Sequence, residues 1–106
     1  MTHVIVEPGV CGLTADIKVE MVDRMTAKID MQTDCKMIAK LVDDLGETVN
    51  AFELLGMSGN DPLLETGRLG TRIHAACPVI AGISKAVEAA CQMALPRNAT
   101  ITFVED

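Results

Sequence analysis

A chain of 106 residues with 49% apolar side chains fits a single domain, residues 1–106, around one hydrophobic core, so neither disulfides nor a metal is needed merely to fold. A formal net charge of −6 opposes binding to nucleic-acid phosphates, and two phenylalanines are the only rings available to stack on a base or flavin. No run approaches the ~18 apolar residues of a membrane span, and the opening MTHVIVEPGV lacks the basic and apolar regions of a signal peptide. The expectation is a soluble cytoplasmic protein with reduced thiols and neither a nucleic-acid nor a membrane partner. A mean hydropathy of +0.30 leaves more apolar surface than one small core hides, which predicts a homodimer.

HVIVE reads as a short strand ended by Pro8-Gly9. In LTADIKVEM, residues 13 to 21, Leu13, Ala15, Ile17, Val19 and Met21 alternate with polar residues, the period of a strand with one wet face. MTAKIDMQ repeats it with Met25, Ala27, Ile29 and Met31 inward, and the intervening VDR fits a hairpin loop without a glycine. The period then changes. Ile38, Leu41, Val42 and Leu45 fall at helical spacing, with Thr33 or Asp34 as cap and Gly46 as the stop.

ETVNAFELLGMSGN reads mostly as loop. DPLLETGRLGTRIHAA reads as a helix capped by Asp61, with Pro62 in its first turn and weakened by Gly67 and Gly70. A third helix over residues 78–95 buries Ile80, Ile83, Val87, Ala90 and Ala94 and stops at Leu95-Pro96; ATITFVE, residues 99–105, then reads as a final strand. The order β-β-β-α-α-α-β predicts an α+β fold of two layers, an antiparallel sheet with helices packed on one face.

The four cysteines are not equivalent. In RIHAACPVIAG, Pro78 suits the first helical position and so makes Cys77 the N-cap, where unpaired backbone N–H groups and the positive end of the helix dipole favour thiolate over thiol. Cys35 follows the expected cap Asp34 and falls in the first turn of another helix, with that carboxylate partly offsetting the effect. Cys11 lies in PGVCGL, where Gly9 and Gly12 free the backbone for a turn or a ligand-bearing loop. Cys91 falls mid-helix beside the buried stripe and reads as a core residue.

Cys11, Cys35 and Cys77, with His74 as a fourth member, therefore form the candidate constellation. Thiolate and imidazole suit zinc, and three thiolates suit an iron–sulfur cluster. His-x-x-Cys is the sole local ligand pair, so convergence depends on the fold. His74 also suits a plain helix-end imidazole. His3 reads as a surface residue, VDDLGE as a solvated helix end, and GRLG as only the outline of a phosphate-gripping loop. No nucleophile-elbow, Walker or dinucleotide fingerprint occurs, so the sequence assigns no catalytic activity.

The early Cys-Gly, the helix-opening Cys35, HAACPV and the ALP before a last strand together resemble a family of small uncharacterised proteins, chiefly from anaerobic bacteria and archaea. The resemblance implies that Cys11, Cys35, His74 and Cys77 belong together. More loosely, Cys-Pro opening a helix is similar to the site of small sulfur-carrier proteins. Those have Cys-Pro-x-Pro where this chain has Cys-Pro-Val-Ile, and their elements run in a different order.

The residues support three functions. The first is a metal- or iron–sulfur-binding protein using Cys11, Cys35 and Cys77 with His74. The second is thiol or persulfide sulfur transfer or redox chemistry with Cys77 as nucleophile. The third is a structural or interaction domain whose cysteines are core residues.

Overall fold

The computed structural model describes residues 1–56, 59, 63, 65, 66, 73 and 76–105. The first strand, β1, spans Thr2–Val6, and the two alternating segments become β2, Ala15–Asp23, and β3, Thr26–Thr33. Pairing is antiparallel throughout, from Thr2↔Val19 to Val6↔Ala15 and from Ala15↔Thr33 to Asp23↔Thr26. In place of a turn glycine, Asp23 Oδ1 accepts a hydrogen bond from the Met25 backbone N–H at 3.2 Å, a side-chain substitute for a turn bond. A register irregularity between Met21 and Asp23 absorbs the extra residue Val22.

The alternation sorts the sheet's faces. Ala15, Ile17, Val19 and Ala27 are fully buried, while Lys18, Glu20, Lys28 and Asp30 are exposed on the other face. On that wet face His3 Nε2 lies 2.6 Å from Asp16 Oδ1, which makes His3 the surface residue expected. Leu13 and Met21, expected inward, are exposed, because β2 begins only at Ala15 and loses its regular register after Met21.

The first helix, α1, spans Lys36–Leu45, buries Ile38 and Leu41, and stops at Gly46, whose φ of 92° lies in the left-handed half of the map that glycine tolerates. It packs on β3. The helix α3, Pro78–Ala90, buries Val79, Ile83, Ala86 and Val87 against β1 and β2. These helices and the sheet's inner face make one core, which also takes in Leu63 and Ile73. Among the described residues no helix is long and apolar enough to cross a membrane.

The expected α+β architecture, an antiparallel sheet with helices on it, is the observed one, but three elements differ in place. Within the stretch read as loop, Val49–Asn50 forms β4 and Ala51–Leu54 a single helical turn, α2. Asn50 drives the change: its side chain accepts from the Glu53 N–H at 3.0 Å and caps that turn. The four-stranded sheet runs β1-β2-β3-β4, with β4 pairing only Thr26 and Ala27.

Secondly, α3 ends five residues before Leu95. Gln92 takes a φ of 60°, its N–H bonds to the Ala89 carbonyl, and the Met93 N–H reaches the Glu88 carbonyl at 2.9 Å. That is a glycine-type helix stop built on glutamine, and it leaves Ala94 exposed. Thirdly, residues 99–105, expected as the final strand, pair with no strand among the described residues and are exposed. Strand propensity shapes a segment only where a partner edge receives it. Of the helix expected after Asp61, Leu63, Glu65 and Thr66 are helical, whereas Ile73 and Ala76 are not; its other residues, Asp61, Gly67 and Gly70 among them, lie outside those described.

Candidate functional site

Cys77 is the N-cap of α3, in extended conformation with φ −65° and ψ 116°, and proline follows it as expected. Cys35 differs from expectation by one position: it is itself the N-cap of α1, not a residue of the first turn. Thr33 causes this. Its Oγ1 accepts from the Cys35 N–H at 3.1 Å, a local turn that keeps Asp34 and Cys35 outside the helix. The signal was present in the Thr-Asp-Cys order, where a hydroxyl can reach the N–H two residues on. Neither cysteine side chain makes a capping hydrogen bond.

Both thiols are partly exposed and lie against the hydrophobic core, whereas Cys11 is fully out on the loop between β1 and β2. That loop turns through Gly9 at φ 95° and Gly12 at φ 67°, closed by a Gly12 N–H to Gly9 carbonyl bond of 3.0 Å. All four cysteines are free thiols.

The strand register fixes where these segments lie. Val6 pairs with Ala15 and Ala15 with Thr33, so the Cys11 loop and the Cys35 turn leave the same end of the sheet. The first half of α3 comes to that end too, since a methyl built on Gly82 would meet Val6 and lie 3.6 Å from Ile17 Cδ1. Three cysteine-bearing segments, 24 and 42 residues apart in sequence, thus meet at one end of one sheet. At the level of side chains they stop short of a ligand shell: among the described residues no group of three or more His, Cys, Asp or Glu is placed to hold a metal ion. His74 and the GRLG segment lie outside the described residues.

Cys91 stands apart, as the core reading requires. It is 8% exposed at the C-cap of α3. Burial pushes its thiol up from the ordinary value of 9.0, and the negative charge of Asp23 pushes it the same way. A short iodoacetamide pulse at neutral pH, read by mass spectrometry, should therefore label Cys11, Cys35 and Cys77 well before Cys91. Cys91 reacting first would contradict its packing at the helix end. The acidic VDDLGE segment is the solvated helix end expected, with Lys40 Nζ 2.8 Å from Asp44 Oδ2 one turn on.

The model of a family of unknown function, DUF6951, matches residues 2–103. The chain belongs to that family. No curated protein and no solved structure matches it. Membership in DUF6951 spans the cysteine loop, both helix-opening cysteines and the start of the C-terminal segment, so the arrangement above falls within the family's own extent.

Proposed function

We propose that this protein binds zinc or an iron–sulfur cluster through Cys11, Cys35 and Cys77, with His74 as a fourth ligand, in the reducing cytoplasm. The observation that supports the reading is that three segments bearing free thiols lie at the same end of the sheet, two of the cysteines opening helices and one on a glycine-flanked loop. Thiolate is the donor that zinc and iron–sulfur clusters take, and helix starts favour a negative ligand. The Cys11 loop, turning on two glycines and exposed along residues 9–14, is the segment able to move its thiol toward the other two. Ligand exchange of this kind couples metal uptake to local ordering.

The test is elemental analysis and an absorption spectrum of protein purified without oxygen. Cys11→Ser, Cys35→Ser and Cys77→Ser should each lose most of the metal or cluster, and Cys91→Ala should keep it. His74→Ala losing as much as a cysteine variant makes it a ligand, while a mild loss places it beside one. Added metal should raise the melting temperature of the wild type and leave the triple serine variant unchanged. Protein that carries no metal, takes up neither zinc nor cluster and melts identically with and without them overturns the reading.

A second reading, sulfur transfer or redox chemistry at Cys77, is favoured by one specific observation. Cys77 opens a helix of 13 residues with proline at its first position, and its sulfur makes no capping hydrogen bond. Metal-free protein that takes sulfane sulfur from added polysulfide to form a persulfide at Cys77, the shortened polysulfide leaving, selects this reading if Cys77→Ser abolishes it. The core-cysteine reading suits Cys91, the one buried thiol of the four.

A further inference from the structure

Strand β3 has an unfinished edge. Beyond Ala27, where β4 ends its pairing, no strand among the described residues bonds to the outer side of Lys28–Thr33. Beside that edge lies a groove of about 420 Å³ whose apolar lining is Ile29 and Met31 of β3 with Ala39 and Val42 of α1, rimmed by Lys28, Asp30, Asp43 and Glu47. Open backbone donors and acceptors next to apolar side chains are what an added strand occupies.

The same chain carries a strand without a sheet. In ATITFVE, Ile101 and Phe103 alternate with threonine and valine, yet Ile101 is 82%, Phe103 98% and Val104 82% exposed. Every described side chain from Ala94 to Glu105, Leu95 included, is exposed, so the segment stands off its own body. The lengths agree: seven residues extend ~23 Å and the six-residue open edge ~20 Å.

We infer that residues 99–105 of one copy add as a strand to the β3 edge of a second copy, and that two chains exchange these segments reciprocally to form a homodimer. Exchange between copies, rather than folding back, follows from the direction of α3. Its first half lies against Val6 and Ile17 at the other end of the sheet, so its C-cap Cys91 comes toward the hairpin end, where the charge of Asp23 acts on it. From there the chain's own segment reaches β3 at its start and runs parallel to it, against an otherwise antiparallel sheet. A segment from a second copy can approach from the opposite end and pair antiparallel, the geometry every other strand pair here uses. The exchange also removes from water the apolar side chains that a mean hydropathy of +0.30 leaves over. The exchange itself calls for no metal, although the incoming segment enters at the Thr33 end of β3, beside the Cys35 turn.

Complementation between full-length chains tests it. Ile101→Asp with Phe103→Asp spoils the segment and leaves the groove intact; Ala39→Glu, at an exposed helix position, fills the groove and leaves the segment intact. By light scattering the wild type should have twice the 11.3 kDa chain mass, and each variant alone should be monomeric or dissociate at least about tenfold more readily. Mixing the two should restore a heterodimer, because one good segment then meets one good groove. Circular dichroism of each variant checks that it is folded, and Ala39→Ser serves as a second, milder groove variant that should stay dimeric. A monomeric wild type, an Ile101→Asp/Phe103→Asp or Ala39→Glu variant that dimerises as tightly as wild type, or a mixture that forms no heterodimer overturns the inference.

Discussion

Ile17→Ala should cost about 2–5 kcal/mol, the range for truncating a large aliphatic side chain in a filled core. Ile17 is fully buried near the start of β2, between Val4 on β1 and Met31 on β3, with α3 above it. Both neighbouring strands and a helix surround the vacancy, so no single element can collapse to fill it. For a chain of this size, each kcal/mol moves the melting temperature by ~4–8 °C, which makes the loss plain in a thermal scan. The control is Ile5→Ala, since Ile5 lies on the wet face and is 60% exposed. It should shift stability by no more than about 0.5 kcal/mol. Equal losses at both positions would mean that the sheet's outer face is covered.

Gly82→Ala should also destabilise, against the intrinsic preference of a helix. Alanine in place of glycine gains ~1 kcal/mol of helix propensity, but overpacking a filled core costs ~1–3 kcal/mol. At Gly82 the added methyl would overlap Val6 Cγ2, on a β-branched side chain whose rotamers are few. Crowding therefore outweighs propensity. The sign should reverse when room is made: in a Val6→Ala background, Gly82→Ala should be neutral or stabilising. Urea unfolding of the four members of this cycle reads the coupling directly. A stabilising Gly82→Ala in the unaltered chain would show that α3 does not lie on β1 as closely as described.

The parts of this fold legible in the sequence were those written in side-chain period. Alternation over Ala15–Val19 and helical spacing over Ile38–Leu45 identify their elements because one face of each must be dry. The differences arose where a hydrogen bond decided the backbone. Thr33 moved the cap of α1 to Cys35, Asn50 made a helical turn where loop was expected, and Gln92 ended α3 without a glycine. Such bonds are local and leave hydropathy untouched, so periodicity does not register them. For ATITFVE the pattern was strand-like, but period says nothing about whether a partner edge lies within reach. Of the cysteine set, the helix-start position of Cys77 could be read from Pro78, whereas the meeting of three segments at one sheet end required the register of Val6, Ala15 and Thr33.

Cysteine is a poor helix cap, and this chain uses it twice. A serine, threonine, aspartate or asparagine at an N-cap contributes ~0.5–2 kcal/mol by accepting a backbone N–H, a bond that neither Cys35 nor Cys77 makes. Two such omissions are a sizeable share of the ~5–15 kcal/mol that holds a domain together. In the genetic code, one nucleotide change converts a cysteine codon to serine, so the more stable alternative at each position is a single mutational step away. Cysteine at both positions thus forgoes a capping bond at two helix starts and places a sulfur at each instead.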